Sequence, residues 1–96
     1  MSLTTKTLTL VPGTTGASIA TLAGLSTDAA IVSEFGLIGD SANTGGAFSW
    51  GRNLSELAPL GDWNFGPVPQ GRDLSKYYLK TGAANDIVYL VIPATV

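Results

Sequence analysis

Two stretches of the chain alternate between apolar and polar positions. In Leu3–Val11, Leu8 and Leu10 fall on one side and Thr5, Thr7 and Thr9 on the other, with Leu3 and Val11 at the ends. In Lys76–Lys80, Tyr77 and Leu79 share one side, and Lys76, Tyr78 and Lys80 share the other. A period of two belongs to a strand with one dry and one wet face. A third stretch, Ile87–Ile92, is apolar on both faces: Ile87, Tyr89 and Val91 on one, Val88, Leu90 and Ile92 on the other. Such a strand needs cover on both sides, from this fold or from a partner. Pro93 removes a ladder donor and ends it. Between the last two runs, Thr81–Asp86 (TGAAND) gathers the residues that relieve a reversal, which predicts a β-hairpin with a loop longer than two residues.

The rest of the chain reads as short extended pieces joined by turns. Pro12-Gly13 is a turn, continued by Thr14–Gly16, and Ala17–Leu22 is expected to be a short strand ending before Gly24. Ser26–Phe35 admits a helix, with Ser26 or Thr27 as cap and Asp28 in its first turn. The β-branched Ile31-Val32 and the nearby Gly36 favour instead two short strands, Ala29–Ser33 and Gly36–Gly39, broken by a bend. Ala47–Trp50 is a further strand, Asn53–Leu57 a helical turn under a loop, and Asp62–Phe65 a strand. Prolines at 67 and 69 hold the run Gly66–Gly71 extended without ladder donors. Strand and turn signals recurring roughly every 8–12 residues predict an all-β fold. We expect one domain over residues 1–96, a small antiparallel β-sandwich or open barrel with at most one short helical turn. Residues 1–11 are a candidate extended N-terminal arm that adds a strand to a neighbour.

Composition narrows the chemistry. The 96 residues include no cysteine and no histidine, which removes disulfides, thiolate ligands and the commonest general base and metal ligand. Charged residues are 12 %, about half the usual globular share, and the net charge is −2. Lys6, Arg52, Arg72, Lys76 and Lys80 are scattered rather than gathered in a basic stripe, so nucleic acid is not an expected partner. The N-terminal MSLTTKTLTL lacks a signal-peptide core, and no apolar run approaches the ~20 residues that cross a bilayer. Synthesis in a cytoplasm, or assembly there into a particle, is the expectation.

Candidate motifs reduce to turn chemistry. Gly39-Asp40-Ser41 matches the start of a GDS-type esterase block, but no histidine exists to take the hydroxyl proton. The glycine-rich Val11–Ser18 lacks the lysine and the spacing of a phosphate loop. Asn53-Leu54-Ser55 is a glycosylation sequon without a secretory signal. The seven carboxylates Asp28, Glu34, Asp40, Glu56, Asp62, Asp73 and Asp86 show no calcium-loop spacing. No catalytic residue, metal site or cofactor is expected, and the chain is not expected to be an enzyme. Trp50 and Trp63, with Phe48 and Phe65, read first as core and second as a platform for sugar stacking or an interface anchor.

The order of several short segments resembles that of small β-rich structural proteins of tailed bacteriophages. The segments are Ile38-Gly39-Asp40-Ser41, Pro59-Leu60-Gly61-Asp62, Asp73-Leu74-Ser75-Lys76-Tyr77-Tyr78-Leu79, Gly82-Ala83-Ala84 and Asp86-Ile87-Val88-Tyr89-Leu90. They cover the C-terminal two thirds; residues 1–28 lie outside the resemblance, and the Asn53–Leu57 insert and the paired prolines depart from it. The resemblance implies a virion component of the head decoration (cement) type, with no catalytic residues. The expected partners are copies of the chain itself, as a homotrimer matching three-fold sites on a shell, and the major capsid protein. The interface is expected on Leu8, Leu10, Val88, Leu90 and Ile92. The alternative is a carbohydrate- or receptor-binding β module of a tail or fibre, using Trp50 or Trp63.

Overall fold

A computed structural model describes residues 5–60, 63–66 and 71–93, with backbone alone for Leu60 and residues 63–65. The all-β expectation holds. Among the described residues, ten short strands form two four-stranded antiparallel sheets and a two-stranded ribbon. The first sheet has the order β1-β10-β4-β7, from Thr5–Leu10, Val88–Pro93, Phe35–Gly39 and Trp63–Phe65. The second has the order β2-β9-β5-β6, from Ala17–Ser18, Tyr78–Lys80, Phe48–Gly51 and Ala58–Leu60. Strands β3 (Ile31–Val32) and β8 (Arg72–Asp73) make the ribbon. Both large sheets contribute to one core: Leu10, Leu37, Val88, Leu90 and Ile92 from the first, Leu79 and Phe48 from the second. Ile19, Leu74 and Tyr77 pack into the same core.

Several expectations change. Residues 76–80 and 87–92 do not form a hairpin. β9 lies between β2 and β5 in one sheet, and β10 lies between β1 and β4 in the other. All edges of both strands are taken by other partners, so residues 81–87 cross from sheet to sheet. Turn residues relieve backbone strain in either kind of connection, which is why composition read as a hairpin.

Ala17–Leu22 is a strand for two residues only and then becomes helix α1, Ile19–Ala23. Ser18 caps it: its Oγ accepts the Thr21 N–H at 3.2 Å and donates to Thr21 Oγ1 at 2.8 Å. Gly24, at φ 68°, closes the other end in a left-handed cap that bonds back to Thr21 O and Leu25 N to Ala20 O. The remaining helical structure is a single 3-10 turn, Leu74–Lys76. Asn53–Leu57 is a non-helical turn, held by Asn53 Oδ1 accepting from Ser55 N at 3.0 Å and Ser55 Oγ at 2.6 Å. Within Ser26–Phe35 the favoured strand pieces form only at Ile31–Val32 and from Phe35 onward, while residues 27–30 make a turn in which the Ser26 Oγ accepts the Ala29 N–H at 3.3 Å.

The last change concerns the N-terminal segment. Residues 1–4 lie outside the described part, but Thr5–Leu10 is no free arm. It pairs with β10 along its whole length, from Thr5 opposite Pro93 to Leu10 opposite Val88. Removing it would strip Leu10 from the core and leave one edge of β10 unpaired, with β4 on the other. The extended Gly66–Gly71 run falls at 67–70 outside the described residues.

Candidate functional site

The expected interface stripe is the core. Leu10, Val88 and Leu90 are fully buried, Ile92 nearly so, and Leu8 is half-buried against the core. A side chain sealed inside its own fold offers nothing to a neighbour, so Leu10, Val88, Leu90 and Ile92 are core and not a contact surface, and of the five only Leu8 keeps part of its side chain open. The strand period then puts the other stripe outward. Thr9, Tyr89 and Ile38 make one cross-strand row, and Thr7, Val91 and Gly36 the next. These rows carry no charged side chain. Ile38 is 42 % and the flanking Val11 53 % exposed, while Tyr89 and Val91 are half-buried. Thus β10 is dry on one face and partly wet on the other. The alternation of Leu and Thr in Thr5–Leu10 could have chosen between the stripes, since the threonine side is the poorer core former.

Behind that face, the loops flagged as turns meet in a clasp. The Asp86 carboxylate is 4 % exposed and accepts Thr44 N–H at 2.9 Å and Gly45 N–H at 2.8 Å. Asn43 pairs with Ile87 as a peptide would, donating from Nδ2 to the carbonyl at 2.8 Å and accepting its N–H on Oδ1 at 2.7 Å. Asp40 N–H donates to the same carbonyl at 3.1 Å. Gly39-Asp40-Ser41 and Gly82–Asp86, distant in sequence, are therefore parts of one structural joint rather than a reactive centre. Sequence reading had assigned Asp40 and Asp86 to turns but had no signal that the turns touch.

Two ionisations in these segments are displaced. The Asp40 charge beside it raises the Tyr89 phenol, helped by partial burial and by the hydroxyl's 3.3 Å bond to Asp40 Oδ2. A phenol raised in the folded state adds stability in full below its unfolded value, and this is lost as pH climbs through the folded value. Asp40→Asn is therefore expected to bring one of the three tyrosines back toward ordinary phenol titration, read by ultraviolet absorbance. Identical titration curves for the two proteins would contradict that pairing. Asp73, at the start of the 3-10 turn, is held below the usual carboxylate range by the Ser75 hydroxyl and amide, at 2.6 and 3.0 Å.

The aromatic candidates divide. Trp50 is half-buried and stacks on Tyr77 at 5.9 Å between centroids, with 23° between the rings. Phe35 meets the same ring edge-on at 5.3 Å, and the Arg52 guanidinium lies 5.3 Å over it. Arg72 Nη1 donates to the Tyr77 hydroxyl at 3.2 Å. One face of the Trp50 ring is thus committed to closing the core. Trp63 lies on β7 opposite Leu37, and its side chain falls outside the described part.

Among the described residues, no three Asp, Glu, His or Cys side chains gather as a metal site, and no helix is long and apolar enough to cross a membrane. A half-open cleft of about 250 Å³ lies between Lys6, Asp28, Ser33 and Ile92. Asp28 is the one carboxylate among its described lining residues, so it holds no carboxylate pair.

Comparison with protein families, with curated proteins and with solved structures finds no match to this chain.

Proposed function

We propose that the chain is a non-enzymatic structural protein of a virion, a head decoration (cement) protein that binds the major capsid protein and stabilises the shell. The observation that carries this reading is the outward face of the first sheet, where the side chains of Thr7, Thr9, Ile38, Tyr89 and Val91 are uncharged and partly apolar, with one carboxylate, Asp40, bonded to the Tyr89 hydroxyl. A face of this kind is suited to burial against another protein surface and to no chemistry of its own. The ordered resemblance of the C-terminal two thirds to phage structural proteins points the same way. The carbohydrate- or receptor-binding alternative draws less support, because Trp50 spends one ring face on Tyr77.

The direct test is the protein composition of purified particles, in which the chain is expected in many copies. Its absence from particles assembled in cells that express it would overturn the reading. A second test uses Ile38→Lys, which places a charge at an exposed point of the face. Binding to shells is expected to weaken by about tenfold or more, with little change in melting temperature. Unaltered decoration of shells by this variant would move the contact elsewhere.

A further inference from the structure

The four edges of the two large sheets are not alike. β2 is two residues long, β7 three, and β6 three with Pro59 in its middle. Short strands and edge prolines are the devices that keep a sheet from recruiting another strand. β1 has neither: it runs six residues, Thr5–Leu10, without proline or glycine. Among the described residues, no backbone or side-chain group other than β10 bonds to it. Half of its backbone N–H and C=O groups therefore point away from the sheet and meet no partner among the described residues.

We infer that this edge accepts β1 of a second copy, antiparallel about a two-fold axis, joining two four-stranded sheets into one of eight strands. The inference rests on the reading of the chain as a self-associating module, not on its place in a virion. An axis normal to the sheet keeps inner faces inner, so only residues of like parity meet. With the axis through Thr7 or Leu8, threonine meets threonine on the outward face, a favourable cross-strand pair. Lys6, the one charge on the strand, then meets the partner's Leu8 or the partner's Leu10 and never its own copy. Leu8, half-buried at the open flank of the core, gains the cover it lacks. The trimer expected earlier came from the symmetry of shells; an edge of this kind closes as a pair.

The test is sedimentation equilibrium of the full chain and of a Thr7→Lys/Thr9→Lys variant. These positions face solvent in the single subunit, opposite Val91 and Tyr89, so the variant is expected to fold. In either register it sets lysine against lysine. The wild type is expected to dimerise and the variant to dissociate about tenfold more readily. Mixing it with a Thr7→Glu/Thr9→Glu variant is expected to restore the pair. Amide exchange gives a second readout that needs no variant: outward amides of residues 5–10 slow only at concentrations where dimer forms. A wild-type monomer at the highest soluble concentration overturns the edge pairing, as does a dimer or trimer indifferent to the lysines. The virion reading falls separately, on particle composition.

Discussion

Adding one methyl group at Gly82 is expected to lower the melting temperature by about 15 °C or more, from a loss near 3 kcal/mol. A Cβ there would overlap the Gly45 carbonyl and crowd its Cα at 3.0 Å. The obstruction is backbone, which cannot rotate aside as a side-chain tip can. Gly45→Ala meets the same wall from the other side, with Ala83 N and Gly82 C at 2.5 Å and Asp86 Oδ2 at 2.6 Å. Parting the loops would also stretch the bonds from Thr44 and Gly45 to the buried Asp86 carboxylate, leaving an acceptor unsatisfied. Because both substitutions break one contact, the double variant is expected to lose less than the sum of the two. Gly66→Ala is the control: nothing lies within 4 Å of a Cβ there and the backbone is not left-handed, so its effect is expected to be small. Thermal melts of the four variants decide the matter. A Gly82→Ala protein melting within a few degrees of wild type would show the clasp to be dispensable.

That clasp marks where sequence reading stops. Alternation gave the strand Thr5–Leu10 and the side each of its residues takes, because burial on one face imposes a period of two; of the strand expected over 76–80 only Tyr78–Lys80 forms, since Lys76 ends the 3-10 turn that precedes it. The β-branched pair Ile31-Val32 outweighed a nearby cap, and strand pieces formed there as expected. Local patterns do not say which strands meet. Thr81–Asp86 serves a crossing between sheets as well as it would serve a hairpin, so the pairing was misread. The helix at Ile19–Ala23 was missed although both of its stops, Ser18 and Gly24, stood in the sequence; five residues are too few to show a helical period. The contact surface suffered most. Two apolar stripes on Ile87–Ile92 are equivalent until the sheet is seen to lie with one face on a core, and the stripe chosen was the buried one.

Adjacent residues of β10 therefore allow a sharp comparison. Leu90 is fully buried, opposite Leu8 on one side and Leu37 on the other. Leu90→Ala removes that side chain from the middle of the core and is expected to cost about 3 kcal/mol, within the 2–5 kcal/mol typical of such truncations. Against a total stability of roughly 5–15 kcal/mol for a domain of this size, the variant should be partly unfolded at modest denaturant. Val91 points the other way, opposite Thr7 and Gly36. Val91→Lys keeps its aliphatic stem on the sheet and its charge in water, so a stability change below about 1 kcal/mol is expected. Its effect should appear instead in binding, as a loss of shell attachment like that of Ile38→Lys. Urea unfolding of both variants, set beside a shell-binding assay, separates the two faces. If Val91→Lys unfolds the chain while Leu90→Ala is tolerated, the sheet packs the opposite way and the proposed contact face is the core.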